Sequence, residues 1–267
     1  MWTSMTRHRR FPLDAGLLAA ALAGDGLSVR VVQETGSTNA DLVAAAKTGA
    51  GEGQVLVAEH QWAGRGRLDR SWTSPSGAGL TFSVLLRPAV PAGALGWLPL
   101  VTGLSLASTL REFAGIPAGL KWPNDVLVAG EKLAGILAEA VPDRDRSGTV
   151  AVIVGIGLNV DNDVDELPPG ATSVALRQRQ ESRPLVGRGE LLIELLRGLV
   201  RVYRRWLAEP TATADAYRSV CDTLGQRVRV ELPDGSVVTG TATDVDDHGR
   251  LVVDGRAFAA GDVVHLR

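Results

Sequence analysis

Among 267 residues there is one cysteine, Cys221. A single thiol excludes an intrachain disulfide and any multi-cysteine zinc site, and it fits a reducing compartment. Histidine is nearly as scarce, with four scattered copies, so an imidazole-based metal cluster is not expected. Charge of one sign is missing too: the formal net charge is −2, which leaves no global basic field to draw in nucleic acid or anionic lipid. Any basic site must therefore be local. Apolar runs such as "VAVIVGIGLNV" fall short of the roughly 18 to 20 residues that a membrane-spanning helix requires. What is present is 45% hydrophobic residues, enough in a chain of this length for one large domain, alone or with a small appendage.

The N-terminal "MTRHRRFPLDAGLLAAALAG" imitates a signal peptide, with basic residues ahead of an apolar run. Pro12 and Asp14 interrupt that run, and Asp14 reads better as the cap of a short amphipathic helix. Beyond it "LSVRVVQ" alternates like a strand, and "STNADLVAAAKTG" reads as a helix capped by Ser37 or Thr38 and ended by Gly49. "QVLVAEHQ" and "GLTFSVLLRP" are strand-like and flank an arginine-bearing loop. "LGWLPLVTGLSLASTLREFAG" is compatible with a long helix. "LKWPNDVLV", "EKLAGILAEAV" and "TVAVIVGIGLNV" then read as neighbouring strands of one sheet. Leu192, Leu196, Leu199, Tyr203 and Trp206 recur at helical spacing, with Arg197, Arg201 and Arg204 on a solvated opposite face. From about Leu224 short alternating strands broken by Pro-Asp-Gly and Asp-His-Gly turns form a small β-barrel-like module.

Four stretches could carry chemistry. In "AGRGRLDRSW" the glycines at 64 and 66 let backbone approach a ligand, and guanidinium groups offer forked donors suited to carboxylate and phosphate. A solvated surface loop is the competing reading. The phosphate loop GxxxxGK[ST] is absent. "VIVGIGLNV" runs a strand into Gly155-x-Gly157 but has Val160 where a dinucleotide fingerprint needs its third glycine, and an acidic, proline-bearing loop where that fingerprint needs a helix. Asn159 at its end is either a ligand-facing amide or a strand-end turn residue. "LKWPNDVLV" gathers Lys121, Asn124 and Asp125 around a proline bend, to bind substrate or to form an internal Lys/Asp pair. "ETGSTNADL" needs only capping to explain Ser37, Thr38 and Asn39, though three adjacent hydrogen-bonding groups also suit a small polar ring.

The order "ETGSTNADL", "AEHQWAGRGRLDRSW", "LKWPNDV", "KLAGILAEA", "GIGLNV" and a final β module resembles the biotin-protein ligases. The likeness covers about residues 30 to 160 and the last 45 or so. It implies an α+β fold: a mixed-sheet catalytic core of the biotin/lipoate ligase, class II synthetase-like type over residues 1–222, then an SH3-like β-barrel over residues 223–267. It also implies an ATP-dependent enzyme that makes biotinyl-5'-AMP and transfers biotin to a lysine of a biotin carboxyl carrier domain. ATP and Mg²⁺ would take part, with no residue of the chain assigned as a metal ligand.

By the same resemblance Ser37, Thr38, Asn39 and Gln61 would hold the ureido ring. Gly64, Arg65, Gly66, Arg67 and Lys132 would complete the biotin site. Arg67, Arg70, Trp72, Asn124, Lys132 and Asn159 would serve ATP and the adenylate. Arg67, Lys132 and Asp125 would be the catalytic groups, Asp125 as a base for the incoming lysine. Some family members begin with a winged helix-turn-helix that represses biotin genes. This chain has no room for one before residue 30, so the resemblance implies a stand-alone, cytoplasmic ligase that binds neither DNA nor membrane, and leaves a homodimer open. Lipoate-protein ligases share the core, but lipoate has no ureido ring for the Ser-Thr-Asn and Gln61 groups. A non-catalytic biotin- or nucleotide-binding module would not need so much charge around a reactive centre.

Overall fold

A computed structural model describes residues 10–68, 70–142 and 150–266. The signal-peptide reading falls largely outside them, but its apolar run is α1 (Ala15–Leu22), whose N-cap Asp14 accepts a hydrogen bond from Leu17 N at 2.9 Å. The next elements are β1 (Ser28–Thr35), α2 (Thr38–Lys47), β2 (Gln54–Gln61), β3 (Gly79–Leu86) and α3 (Leu98–Glu112), the last preceded by a 3-10 turn. Ser37 is the cap of α2, accepting from Ala40 N. "LKWPNDVLV" is two strands rather than one, β4 (Gly119–Lys121) and β5 (Asp125–Val128), because Pro123 offers no N–H to a ladder.

β6 (Glu131–Pro142) and β7 (Val150–Asn159) follow, then α4 (Val174–Gln180), α5 (Arg188–Ala208) and α6 (Pro210–Arg218). The chain ends with β8 (Arg227–Glu231), β9 (Val237–Val245), β10 (Leu251–Val253), β11 (Arg256–Phe258) and β12 (Asp262–His265).

Seven strands form one mixed sheet in the order β1-β2-β3-β7-β6-β5-β4, with β1 and β2 parallel and the other pairs antiparallel. Residues two apart on a strand share a face. On β7, Val152, Val154, Ile156 and Leu158 face α3 and α5 and join the main core, while Ala151 and Ile153 face α2 with Leu42, Leu56, Leu85 and Val141. Gly155 and Gly157 continue this second face. The stretch Ala92–Glu112 is apolar and long enough to cross a membrane by composition. Here it is mostly buried, the core helix over the sheet. On α5, Leu192, Leu196, Leu199, Tyr203 and Trp206 are buried as their spacing requires. Its opposite face is not merely solvated, since Arg197 donates to Ala21 O at 3.0 Å at the end of α1.

The five C-terminal strands form a second, antiparallel sheet ordered β11-β10-β9-β8-β12. It is joined to the first through two buried indoles: Trp97 Nε1 donates to Asp247 O and Trp122 Nε1 to Gly249 O, each at 3.0 Å. The turn they grip needs Gly249, which has φ +76° and lies against the Gly96 backbone. Trp122 immediately precedes Pro123, Asn124 and Asp125, so the small module braces the bend that carries those polar side chains.

Candidate active site

The sheet face beneath the N-terminus of α2 is built from small residues in register. Thr81 pairs with Gly157 and Gly157 with Gly135, which pairs with Asp125; in the next row Ser83 pairs with Gly155 and Gly155 with Leu137. The absent side chains are what make a pocket. A Cβ at Gly155 would lie 2.2 Å from Asn39 Oδ1, and one at Gly157 would lie 2.2 Å from the Trp72 indole. Gly155-x-Gly157 is therefore the floor of a cleft, not the start of a dinucleotide loop.

One end of the cleft is polar. Thr38 N–H and Thr38 Oγ1 both approach Gln61 Oε1, at 2.7 and 3.0 Å. Thr38 Oγ1 also lies 2.7 Å from Ser83 Oγ, which donates to Asn39 Oδ1 at 2.6 Å. Asn39 Nδ2 in turn donates to Glu139 Oε2 at 2.7 Å and to Leu137 O at 3.2 Å. Counting protons leaves two unspent donors at this end of the cleft among the described residues: the Ser37 hydroxyl and the Gln61 Nε2 amide. Asn39, by contrast, is fully used inside the protein.

Around the rest of the cleft stand four cations. The arginine loop is a miniature hairpin, closed by Gly66 N–H to Arg70 O (2.6 Å), Trp72 N–H to Gly64 O (2.9 Å) and a bridge between Arg65 and Ser71. Arg65 Nη2 donates to both Glu139 oxygens at 2.8 Å, and Arg70 pairs with Asp262 from β12. Lys132 Nζ lies 2.7 Å from Asp125 Oδ1, outside hydrogen-bond geometry, so that this buried oxygen has no donor. The expected internal partner of Asp125 is thus Lys132; Lys121 is only its cross-strand neighbour.

Arg67 alone of the four makes no ion pair among the described residues. It donates to Asn124 Oδ1 at 3.3 Å. Burial pulls its guanidinium below the ordinary value, with Asp125 and Asp262 acting the other way and Arg70 with it. Asn124 is itself strapped to β6, its Nδ2 donating to Ile136 O at 3.0 Å and its O accepting from Ile136 N at 2.9 Å.

Ser37, Thr38, Asn39, Gln61, Arg65, Gly66, Arg67, Arg70, Trp72, Asn124, Asp125 and Lys132 all line this one cleft. Two of the expected residues stand apart from its wall. Gly64 lies behind it, where a Cβ would meet Trp72 O at 2.3 Å. Asn159 is buried and donates to Thr172 O at 3.0 Å. It thereby braces the segment whose backbone pairs with Lys132, through Lys132 N to Gly170 O and Thr172 N to Lys132 O. The cleft encloses about 120 Å³, below the few hundred Å³ usual for small-molecule sites, because the Trp72 indole lies in it over Gly157 and Gly135. Its Nε1 is buried without a partner.

The sequence reading missed Ser83, Glu139 and Asp262. Ser83 and Glu139 had a visible signal, polar side chains set within apolar stretches of their strands. Asp262 had none, since it reaches the cleft from the other sheet.

Residues 31–159 match the Biotin/lipoate A/B protein ligase family, and residues 223–266 match the Biotin protein ligase C terminal domain. The chain is 46% identical to a biotin--[acetyl-CoA-carboxylase] ligase of Mycobacterium tuberculosis, over 97% of each chain. Among solved structures it resembles the biotin protein ligase from Aquifex aeolicus in complex with biotin and ATP, with 29% identity and TM-score 0.74 over 90% of this chain and 99% of that one. It also resembles the biotin protein ligase from Leishmania major in complex with biotinyl-5-AMP, with 25% identity and TM-score 0.62 over 90% and 98%. With both sheets matched and nearly half of all positions identical along its length, the chain belongs to the biotin protein ligase family.

Proposed function

We propose that the chain activates biotin with ATP as biotinyl-5'-AMP and transfers the biotinyl group to a lysine of a biotin carboxyl carrier domain. The observation that carries this reading is one cleft with unspent neutral donors at one end and four cations at the other. A ligand that fits has an uncharged polar ring, an apolar middle and an anionic tail destined to meet a polyanion.

The Ser37 hydroxyl and Gln61 Nε2 would donate to the ureido carbonyl, and hydroxyl lone pairs of Ser37 and Thr38 would accept from its N–H groups. Asn39 shapes that end through Ser83 and Glu139. The glycine floor, Leu137 and the Trp72 indole enclose the bicyclic ring and valeryl chain, which requires the indole to shift as ligand enters. In the first step a carboxylate oxygen of biotin attacks the α-phosphorus of ATP and pyrophosphate leaves. Carboxylate and triphosphate repel one another, and Arg67, which has no carboxylate partner among the described residues, is the first available counter-charge. Arg70 and Lys132 follow by exchanging Asp262 and Asp125 for phosphate oxygens.

Mg²⁺ would enter as MgATP with phosphate oxygens as ligands, supplying further charge neutralisation. Asp125, whose buried Oδ1 lacks a donor, is the carboxylate that fits beside it, and no set of three or more His, Cys, Asp or Glu among the described residues forms a site of its own. In the second step the carrier lysine attacks the acyl carbon, AMP leaves and the amine loses a proton, for which Asp125 is the nearby acceptor once Lys132 has moved to the ligand. Until then the arginine loop and Trp72 keep water from the mixed anhydride.

The direct test is incubation with biotin, MgATP and a carrier domain, with mass analysis of the carrier lysine. Biotin on that lysine, and none of the lipoyl group from a parallel reaction with lipoate, is the expected result. Lipoylation without biotinylation would overturn the reading.

A further inference from the structure

Glu139 is a charged side chain at the junction between the polar cleft and the apolar cluster under α2. Its row on the sheet runs Leu85, Ile153, Glu139, and both of those neighbours belong to the cluster. An aliphatic residue would serve packing better there, and the Glu139 side chain is only partly exposed, so where its oxygens turn within the protein matters. They are engaged by two groups of different kind: the Asn39 amide at 2.7 Å and Arg65 Nη2 at 2.8 Å from each oxygen.

The Arg65 side chain is half exposed, and an ion pair so placed adds little to global stability. Its geometry gives it another use. Both contacts come from a single guanidinium nitrogen, so Nε and Nη1 still point N–H groups elsewhere. Arg65 is also rigidly linked to Trp72 across the miniature hairpin, through the Arg65–Ser71 bridge and the bond from Trp72 N to Gly64 O. What Glu139 does to Arg65 is therefore felt by the indole that fills the cleft.

We propose that Glu139 is a positioning residue that ties recognition at the polar end of the cleft to closure of the arginine loop. One carboxylate sets the Asn39 amide and latches Arg65, so the loop keeps its folded hairpin, with the Trp72 indole seated over Gly157 and Gly135 until ligand displaces it, only while the polar end is correctly formed. The proposal rests on the biotin-ligase reading for the meaning of that closure, but the latch itself can be observed without any substrate.

The test uses the full chain carrying Glu139→Gln, which keeps shape and removes charge, and separately Arg65→Gln, which breaks the same contact without touching β6. Chymotrypsin cleavage after Leu68 or Trp72, sites that neither variant changes, is followed alongside thermal unfolding, first without substrate. Both variants are expected to be cut about tenfold faster in the loop at nearly unchanged Tm, and the double variant no faster than either single one, as coupling between contacting residues requires. With biotin and MgATP, KM for biotin is expected to rise about tenfold in Glu139→Gln while kcat falls by less than about threefold. Loop cleavage at the wild-type rate in both single variants, or additive effects in the double variant, would overturn the latch. So would faster cutting spread over the whole chain with a lowered Tm, since that marks a structural role. If the wild-type chain binds no biotin by calorimetry, the functional reading fails while the substrate-free cleavage result still decides the latch.

Discussion

Asn39 and Gly155 occupy one volume: the Asn39 carboxamide lies where the Gly155 side chain would be, so that a Cβ there would approach Oδ1 to 2.2 Å. Asn39 connects Ser83 on one side with Glu139 on the other, and displacing it disturbs the polar end of the cleft as a unit. Gly155→Ala is expected to raise KM for biotin by about 10- to 100-fold and to cost about 1–3 kcal/mol of stability through overpacking. Initial-rate kinetics and urea unfolding check this. A wild-type KM would show that the polar end tolerates rearrangement.

Lys132 and Arg67 line the same cleft from different starting conditions, Lys132 beside Asp125 at 2.7 Å and Arg67 with no ion pair among the described residues. Lys132→Ala should lower biotin-dependent ATP–pyrophosphate exchange by about 100- to 1,000-fold, the range for loss of one preorganised group that stabilises transition-state charge. Exchange near the wild-type rate would remove Lys132 from the chemistry.

Arg67→Ala is expected to release adenylate into solution, visible as ATP consumption in excess of carrier biotinylation. A variant that retains the intermediate as well as the wild type would assign retention to Arg65 or Arg70 instead.

Trp122 joins the two sheets through a single indole N–H to Gly249 O. Trp122→Phe leaves that carbonyl without its donor, for about 1–3 kcal/mol. Since Trp122 adjoins the bend holding Asn124 and Asp125, exchange activity should fall with stability. Unfolding and exchange measured on one preparation test both. Lost stability with intact exchange would separate the barrel from the site.

His265 of β12 sets a pH limit on the same junction. Thr223 Oγ1 accepts from Trp122 N at 3.0 Å and lies 3.1 Å from His265 Nε2, which ties the imidazole to the residue that carries the bend. Burial pulls the His265 pKa down, Lys121 pulls the same way and Asp222 opposes them. The native chain then binds fewer protons than the unfolded one below about pH 6.5, so this stability is present above that value and lost as pH falls through the depressed native pKa. Asp222 works in the opposite sense: burial raises its pKa against Arg111 and His265, favouring the native state in acid, and partly offsets the loss. Tm is expected to fall between about pH 7.5 and about pH 5.5, and His265→Gln should flatten that slope. An equal slope in the variant would place the titrating group elsewhere.

Much of the fold was legible in the sequence because it rests on local rules. The run "QVLVAEHQ" is β2 residue for residue, and Ser37 caps α2 as a serine before a helical pattern should. The leucine spacing of α5 gave its buried face. "LKWPNDVLV" was partly legible: its proline bend showed in the sequence, but the apolar residues around it read as one strand and the structure has two, β4 and β5. The cleft residues were legible as types in an order, which is why Ser37, Gln61, Arg67 and Lys132 could be named before any geometry was known.

Pairing partners were not legible. The residues alone left the arginine loop open between an anion site and a solvated surface, and only the family resemblance set it beside "KLAGIL". Register across the sheet decided that Gly155 and Gly157 are a floor, that Asn39 is spent on Glu139, and that Asn159 braces Thr172. The physical reason is distance along the chain: Arg65 meets Glu139 across 74 positions and Arg70 meets Asp262 across 192. No periodicity or turn preference extends that far, so which charge holds which is settled only when the two sheets pack.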